Sequence, residues 1–270
     1  MLSIIIITHN EEKRIKTCLQ SVKWANEIIV VDDGSTDGTI KIAKTEGAKI
    51  VFVKETLEKD FSHLRNLGLQ EAKGDWILYV DADERILKPL KEEIKEVIEK
   101  GEIGTWAISR RNIILGEEKK YSAFWPDYVI RLFKREALVG WQGKVHESPQ
   151  FSGKLGKLKN SLLHLTHRDI DSMVLKSLDW ANIDAKLRLE AGHPPMSSWR
   201  FLKILFSEIF NQGVLRQGFF NGTVGVIDSL LQAFSLYISY VKLWQLQRSK
   251  ALDETYDNID DNLIKNGFDY

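Results

Sequence analysis

Two carboxylates spaced one apart, Asp81 and Asp83, follow the apolar run Trp76-Ile77-Leu78-Tyr79-Val80. A run of that length, bounded by Gly74-Asp75 and then by charge, reads as a buried strand of a parallel sheet. Both aspartates then sit where the strand leaves the sheet, the edge at which open α/β folds bind ligands. Carboxylates held this close repel each other and are costly to desolvate unless a cation joins them. A hard divalent ion bridging to a ligand's phosphates is the economical chemistry. The plain alternative is a strand that ends in solvated aspartates.

The elements that must position this pair are legible upstream. Residues 2–7 are a β-branched run and read as a buried strand. Thr8-His9-Asn10-Glu11-Glu12 then opens a helix to about Val22, with Asn10 as its expected N-cap. A second strand over 27–31 ends in Asp32-Asp33-Gly34-Ser35-Thr36-Asp37-Gly38-Thr39, and a helix resumes to about Glu46. A third strand is expected over 48–53, and a helix over 61–72 carries Arg65 and Asn66. Strand and helix alternate four times, which means βαβ units and a mostly parallel sheet. Right-handed crossovers put the loops 8–12, 32–39 and 81–84 on one side of that sheet. The glycine fingerprint of a dinucleotide fold and a P-loop lysine are both missing. A ligand here is held by carboxylates, hydroxyls and a metal.

A charged amphipathic helix follows over 87–100. Residues 104–147 then mix short strands with aromatic and basic side chains, which suits a surface handling sugar and phosphate. Arg110, Arg111, Arg131 and Lys144 can hold an anionic acceptor there, or simply be solvated. His146, His164 and His167 form a group of metal-ligating type. Beyond Asp169 the chain reads as helical. Residues 217–240 carry a single charge, Asp228, but their glycines, Asn221 and Asp228 itself argue against a membrane span. A helix lying on a membrane surface, with Trp199, Arg200, Lys203, Lys242 and Trp244 at the interface, competes with packing on a second subunit. The acidic residues 251–270 are expected to be poorly ordered.

Composition sets outer bounds. The 270 residues are 43% hydrophobic and 28% charged, enough for one large domain, or for one domain plus a helical appendage. Formal net charge is zero, so no global field argues for nucleic acid. One cysteine, Cys18, excludes an intramolecular disulfide and suits a reducing compartment. The first residues lack the pattern of a signal peptide, which points to the cytoplasm.

Four blocks in this order and spacing resemble the family-2 glycosyltransferases of GT-A fold. They are Ile4-Ile5-Ile6-Ile7-Thr8-His9-Asn10-Glu11-Glu12, Ile29-Val30-Val31 with the Asp32–Thr39 loop, Arg65-Asn66-Leu67-Gly68-Leu69, and Asp81-Ala82-Asp83. Arg131-Leu132-Phe133-Lys134-Arg135, Val145-His146-Glu147 and Arg216-Gln217-Gly218-Phe219-Phe220-Asn221-Gly222 are similar to a narrower branch. That branch holds bacterial lipopolysaccharide inner-core β-1,4-glucosyltransferases. The resemblance implies a GT-A catalytic domain over 1–168, with a nucleotide-binding half over 1–100 and an acceptor half over 101–168. A helical region over 169–250 follows, for membrane-surface or subunit contact, including a homodimer.

The same resemblance implies roles. Ile7, Thr8, His9 and Glu11 line a uridine pocket with Asp33 on the uracil edge; the family commonly has Pro and Tyr where Ile7 and His9 stand. Arg65 and Asn66 support the donor site, Asp81 approaches the sugar or ribose, and Asp83 ligates Mg²⁺ or Mn²⁺ on the diphosphate. No Glu-Asp pair stands at the distance expected for the base, so Glu147 is taken as base and His146 as its support. The reaction implied is an inverting transfer from a UDP-sugar to a saccharide or lipid-linked acceptor, in the cytoplasm or at the inner face of the cell membrane. A strand ending in Asp-x-Asp also begins haloacid-dehalogenase-type phosphatases, but there the motif falls on an early strand. A catalytically silent nucleotide-sugar binder is the remaining alternative.

Overall fold

The computed structural model describes residues 1–53, 60–121, 125–143 and 147–268. Contacts within the chain gather into two units, Met1–Thr166 and His167–Tyr270.

The first unit opens with β1 (Leu2–Thr8), α1 (Ile15–Val22), β2 (Glu27–Asp32), α2 (Thr39–Thr45), β3 (Lys49–Phe52), α3 (Phe61–Glu71) and β4 (Trp76–Tyr79). It continues through β5 (Glu84–Arg85), α4 (Lys88–Lys100), β6 (Thr105–Ile114), β7 (Glu117–Lys119), β8 (Asp127–Lys134), β9 (Leu138–Gln142), β10 (Ser148–Phe151) and β11 (Leu155–His164). The main sheet runs β3-β2-β1-β4-β8-β6-β11-β5, with β7 beside β6. β1 to β4 are parallel, as the alternation of strands and helices requires. β8 is antiparallel to both β4 and β6, and β5 is antiparallel to β11, so the sheet is mixed in its second half. β9 and β10 form a separate hairpin.

Strand β1 is buried on both faces, which suits its four successive isoleucines, Ile4 to Ile7. Ile4 and Ile6 share a core with Ile15, Cys18 and Leu19 of α1 and with Leu90 and Ile94 of α4. Ile5 shares the opposite core with Leu64 of α3, Tyr79, Phe133 and Trp141. Each fully buried side chain of this kind contributes about 1.5–3 kcal/mol. Helix α3 lies so close to the sheet that a Cβ on Gly68 would stand 2.4 Å from Cγ2 of Ile5. Asp60 caps α3, its Oδ1 accepting from the backbone of His63 at 3.0 Å.

Two expectations are corrected. Asn10 is not an N-cap: it is left-handed at φ 54, and its Oδ1 accepts from the backbone N–H of Thr36, so the chain turns before α1 begins at Ile15. The acidic end is ordered as α8 (Leu252–Lys265), with Asp253 and Glu254 in its first turn and Lys265 in its last, the charge pattern a helix dipole favours.

The second unit contains α5 (Ile170–Glu190), α6 (Ser198–Phe210) and α7 (Gly222–Leu246) ahead of α8. α5 and α7 pack through small residues, among them Ala181, Ala185 and Ala233, and Arg188 of α5 donates to the Tyr240 hydroxyl of α7 at 2.7 Å. α7 is long and apolar enough to cross a membrane by length and composition, yet it buries Asp228, Ser229 and Ser239. α6 buries none of its residues and meets α7 through the Phe201–Tyr237 ring pair.

Candidate active site

Parallel pairing brings the ends of β1, β2 and β4 to one edge: Thr8 lies opposite Asp32, and Ile5 opposite Tyr79. The first two loops there are zipped together. Glu11 N–H donates to Thr39 Oγ1, Glu12 N–H to Asp37 Oδ2, and Gly38 N–H to Glu12 Oε2. Burial works against the Asp37 charge, but its bonds from the Thr39 hydroxyl and from backbone N–H groups hold its carboxyl below the ordinary range. Part of this loop's acid content therefore builds the loop. His9 Nδ1 donates to the Asp33 carbonyl at 2.6 Å, so the ring is fixed beside Asp33. Glu11 pairs with Arg14 at 3.1 Å. Ile7 packs at the margin of the core below. Thr8 Oγ1 and Asp32 Oδ1 are buried without a hydrogen-bond partner among the described residues. Such orphaned groups at a ligand edge are the ones a bound polar molecule satisfies. The sequence reading missed Asp32, although it stands one residue before Asp33 in the same motif.

The two aspartates of the Asp-x-Asp pair have different surroundings. Asp81 lies between two guanidiniums: Arg65 Nη2 is 3.3 Å from Oδ1, and Arg131 Nη2 is paired with Oδ2. Burial pushes the Asp81 carboxyl up, but Arg131 and then Arg65 outweigh it and hold it well below the usual carboxylate range. Glu84, fully buried, accepts from the Asp81 backbone N–H at 2.9 Å; burial and then the Asp81 charge raise its carboxyl above the ordinary range. Arg65 reaches further. Its Nε and Nη2 donate to Glu147 Oε1 at 3.1 and 2.9 Å, and its guanidinium stacks 4.7 Å from the Trp141 ring. One arginine thus joins Asp81 to the candidate base.

Asp83 faces elsewhere. β5 pairs with β11 so that His164 lies opposite Glu84, and the Leu165 N–H donates to the Asp83 carbonyl at 2.9 Å. This brings His164 Nε2 to 3.4 Å from Asp83 Oδ2. His164 Nδ1 is 2.6 Å from Asn112 Oδ1. No group of three or more metal-ligating side chains occurs among the described residues. Asp83 and His164, a carboxylate and an imidazole, are groups that would suit a divalent ion such as Mn²⁺.

The other predicted site residues fall as follows. Asn66, expected to support the donor site, has both ends of its amide taken by the Trp141 backbone, donating to the carbonyl and accepting from the N–H at 2.9 Å. Its support goes to β9, the strand leading toward Glu147. His146 and Lys144 lie outside the described residues. Arg131 is buried and internal, and Arg110 and Arg111 are paired with Asp127 and Glu118 at 2.7 Å. Arg131 is thus committed to internal pairing rather than to an acceptor or to solvent, whereas Arg110 and Arg111 stay partly exposed beside their partners. Of the flagged histidines, His164 joins Asp83 and His167 begins the second unit.

Residues 3–153 match the model of the family described as glycosyl transferase family 2. The lipopolysaccharide core biosynthesis glycosyltransferase LpsC of Rhizobium meliloti is 29% identical over 276 residues, covering 97% of each chain. An uncharacterized glycosyltransferase of Rickettsia typhi is 28% identical, covering 95% of this chain and 92% of its own. Among solved structures, a mannosyltransferase from Pyrobaculum calidifontis in complex with GDP-Man and Mn²⁺ superposes with a TM-score of 0.52 at 16% identity, covering 92% of this chain and 88% of that one. That likeness shows the fold, and the family match leaves no place for a phosphatase. The chain belongs to glycosyl transferase family 2 and is a glycosyltransferase of GT-A fold.

Proposed function

We propose that this enzyme transfers a hexose, glucose first among the candidates, from a UDP-sugar to a saccharide or lipid-linked acceptor such as lipopolysaccharide inner core, with inversion. The observation that carries the reading is the division of labour at the sheet edge: Asp83 faces His164, whereas Glu147 is held by Arg65. The name of the Rhizobium meliloti relative supports the acceptor class, and the zipped loops around His9, Asp33 and Thr8 support a nucleoside site. Asp83 and His164 would hold Mg²⁺ or Mn²⁺, and that ion, when bound, would neutralise the departing diphosphate. The acceptor hydroxyl attacks the anomeric carbon, the bond to the diphosphate oxygen breaks with its electron pair, and Glu147 takes the hydroxyl proton. Both bonds from Arg65 use Oε1, so Oε2 is the oxygen that receives it.

The second unit supports a seat at the inner face of the cell membrane, with the acceptor's lipid. Trp199, Leu202, Phe206 and Phe210 form one exposed stripe along α6, with Arg200 and Lys203 beside it. An apolar stripe flanked by cations is the pattern that favours a helix lying on an anionic bilayer.

The test is a turnover screen of UDP-sugars and GDP-sugars with Mg²⁺ or Mn²⁺, run on wild type and Glu147→Gln. Slow metal-dependent hydrolysis of one UDP-sugar names the donor. Glu147→Gln should lower kcat of transfer by about 10²–10⁴ with UDP binding kept. Turnover of GDP-sugars alone would overturn the donor, and an unchanged kcat would overturn the base.

A further inference from the structure

Four neighbouring strands place a row of polar side chains across the sheet: Arg110 opposite Asp127, Asn112 opposite His164, and His164 opposite Glu84. Arg110 and Asn112 are two residues apart on β6 and so share a face. From this row we propose that Asn112 is a positioning residue. It keeps a proton on His164 Nδ1 and turns Nε2 toward Asp83. The consequence for metal rests on the proposed ion between Asp83 and His164; the proton on Nδ1 does not.

An amide's two ends are told apart only by their neighbours, and here the neighbours decide. Asp127 is fixed by Arg110, which donates from Nε at 2.8 Å and approaches from Nη2 at 2.7 Å. The charged Asp127 carboxylate only accepts, so the Asn112 group 3.2 Å from its Oδ2 is the donor Nδ2. Asn112 Oδ1 is thereby turned to the other side, 2.6 Å from His164 Nδ1. An oxygen with no proton to give requires one on that nitrogen. Asn112 is 2% exposed, so this pairing is buried.

The ring so held has its Nε2 3.4 Å from Asp83 Oδ2. Histidines that ligate metals regularly give their other N–H to such an acceptor, and losing that partner typically lowers metal affinity about 10–100-fold.

The experiment begins with the full chain, metal-free and ¹⁵N-histidine-labelled, its His164 signals assigned by their loss in His164→Gln. Long-range ¹H–¹⁵N spectra should show a protonated Nδ1. An unprotonated Nδ1, the other tautomer, would overturn the proposal without any further variant. Mn²⁺ binding in the presence of UDP is then followed by electron paramagnetic resonance. Asn112→Leu should mix the tautomers and weaken Mn²⁺ about 10–100-fold. Asn112→Asp, which keeps an acceptor for Nδ1–H, should recover most of the loss. A folded Asn112→Leu with unchanged tautomer and unchanged Mn²⁺ affinity would overturn the positioning role. Wild type that shows the Nδ1–H tautomer yet binds no Mn²⁺ with UDP would support the lock and overturn the metal reading of Asp83 alone.

Discussion

At the residue scale, Asp81 and Asp83 differ through partners distant in sequence. Arg65 and Arg131, which hold Asp81, lie 16 and 50 residues from it, and His164, beside Asp83, arrives on the last strand of the sheet. The motif showed that a carboxylate pair stood at a strand end. It did not show that one member was already neutralised by arginine, because spacing along the chain says nothing about β8 or β11. The same reason explains why Arg131 read as a surface cation: its pairing strand could not be assigned from local pattern. Arg131 is 5% exposed and its charge is balanced by Asp81 and Glu84. Arg131→Met should therefore destabilise the fold by about 3–5 kcal/mol, since it leaves carboxylates without their buried partner. Urea denaturation checks this; a change within about 0.5 kcal/mol would mean that the pair is solvated in practice.

At the element scale, strands β1, β2 and β4 were legible because each carries a run of apolar residues that leads into a polar loop. The start of α1 was not: Asn10 has the chemistry of a cap, but its side chain is drawn to the neighbouring loop. Helix α3 is the element that organises the site, since it presents Arg65 to both carboxylates and Asn66 to β9. Its Asp60 cap offers a pH test. Burial works against the Asp60 charge, but bonds from the backbone of His63 and the Ser62 hydroxyl outweigh it and depress the carboxyl. A depressed native value stabilises the fold above the unfolded aspartate's value, about 3.9, and that stability is lost as pH falls through the native value. Asp60→Ala should accordingly cost about 0.5–2 kcal/mol near neutrality, shrinking as the pH drops below about 3.9. A difference that stays constant from neutral to acid pH would show that the cap contributes nothing through its charge.

At the scale of the whole molecule, the blocks of the first hundred residues carried the resemblance, and the family model matches residues 3–153. The α/β alternation made the fold class readable, whereas the helical second unit shows only composition to a reader of sequence. Its apolar surface has a direct test. Full-length protein should co-sediment with vesicles containing phosphatidylglycerol, less with phosphatidylcholine alone, and Trp199→Ser with Phe206→Ser should reduce the bound fraction severalfold. A concentration-dependent dimer lost in the same double variant, with no vesicle binding, would assign the stripe to a second copy. The central claim, that Asp83 serves a metal-bound nucleotide sugar, meets its most direct test in a thermal-shift titration of UDP with and without Mn²⁺, on wild type and Asp83→Ala. We expect UDP to raise the Tm of wild type with Mn²⁺ and much less without it, and the Mn²⁺-dependent part to vanish in an Asp83→Ala protein whose own Tm is near that of wild type. An equal Mn²⁺-dependent shift in both proteins would contradict the account.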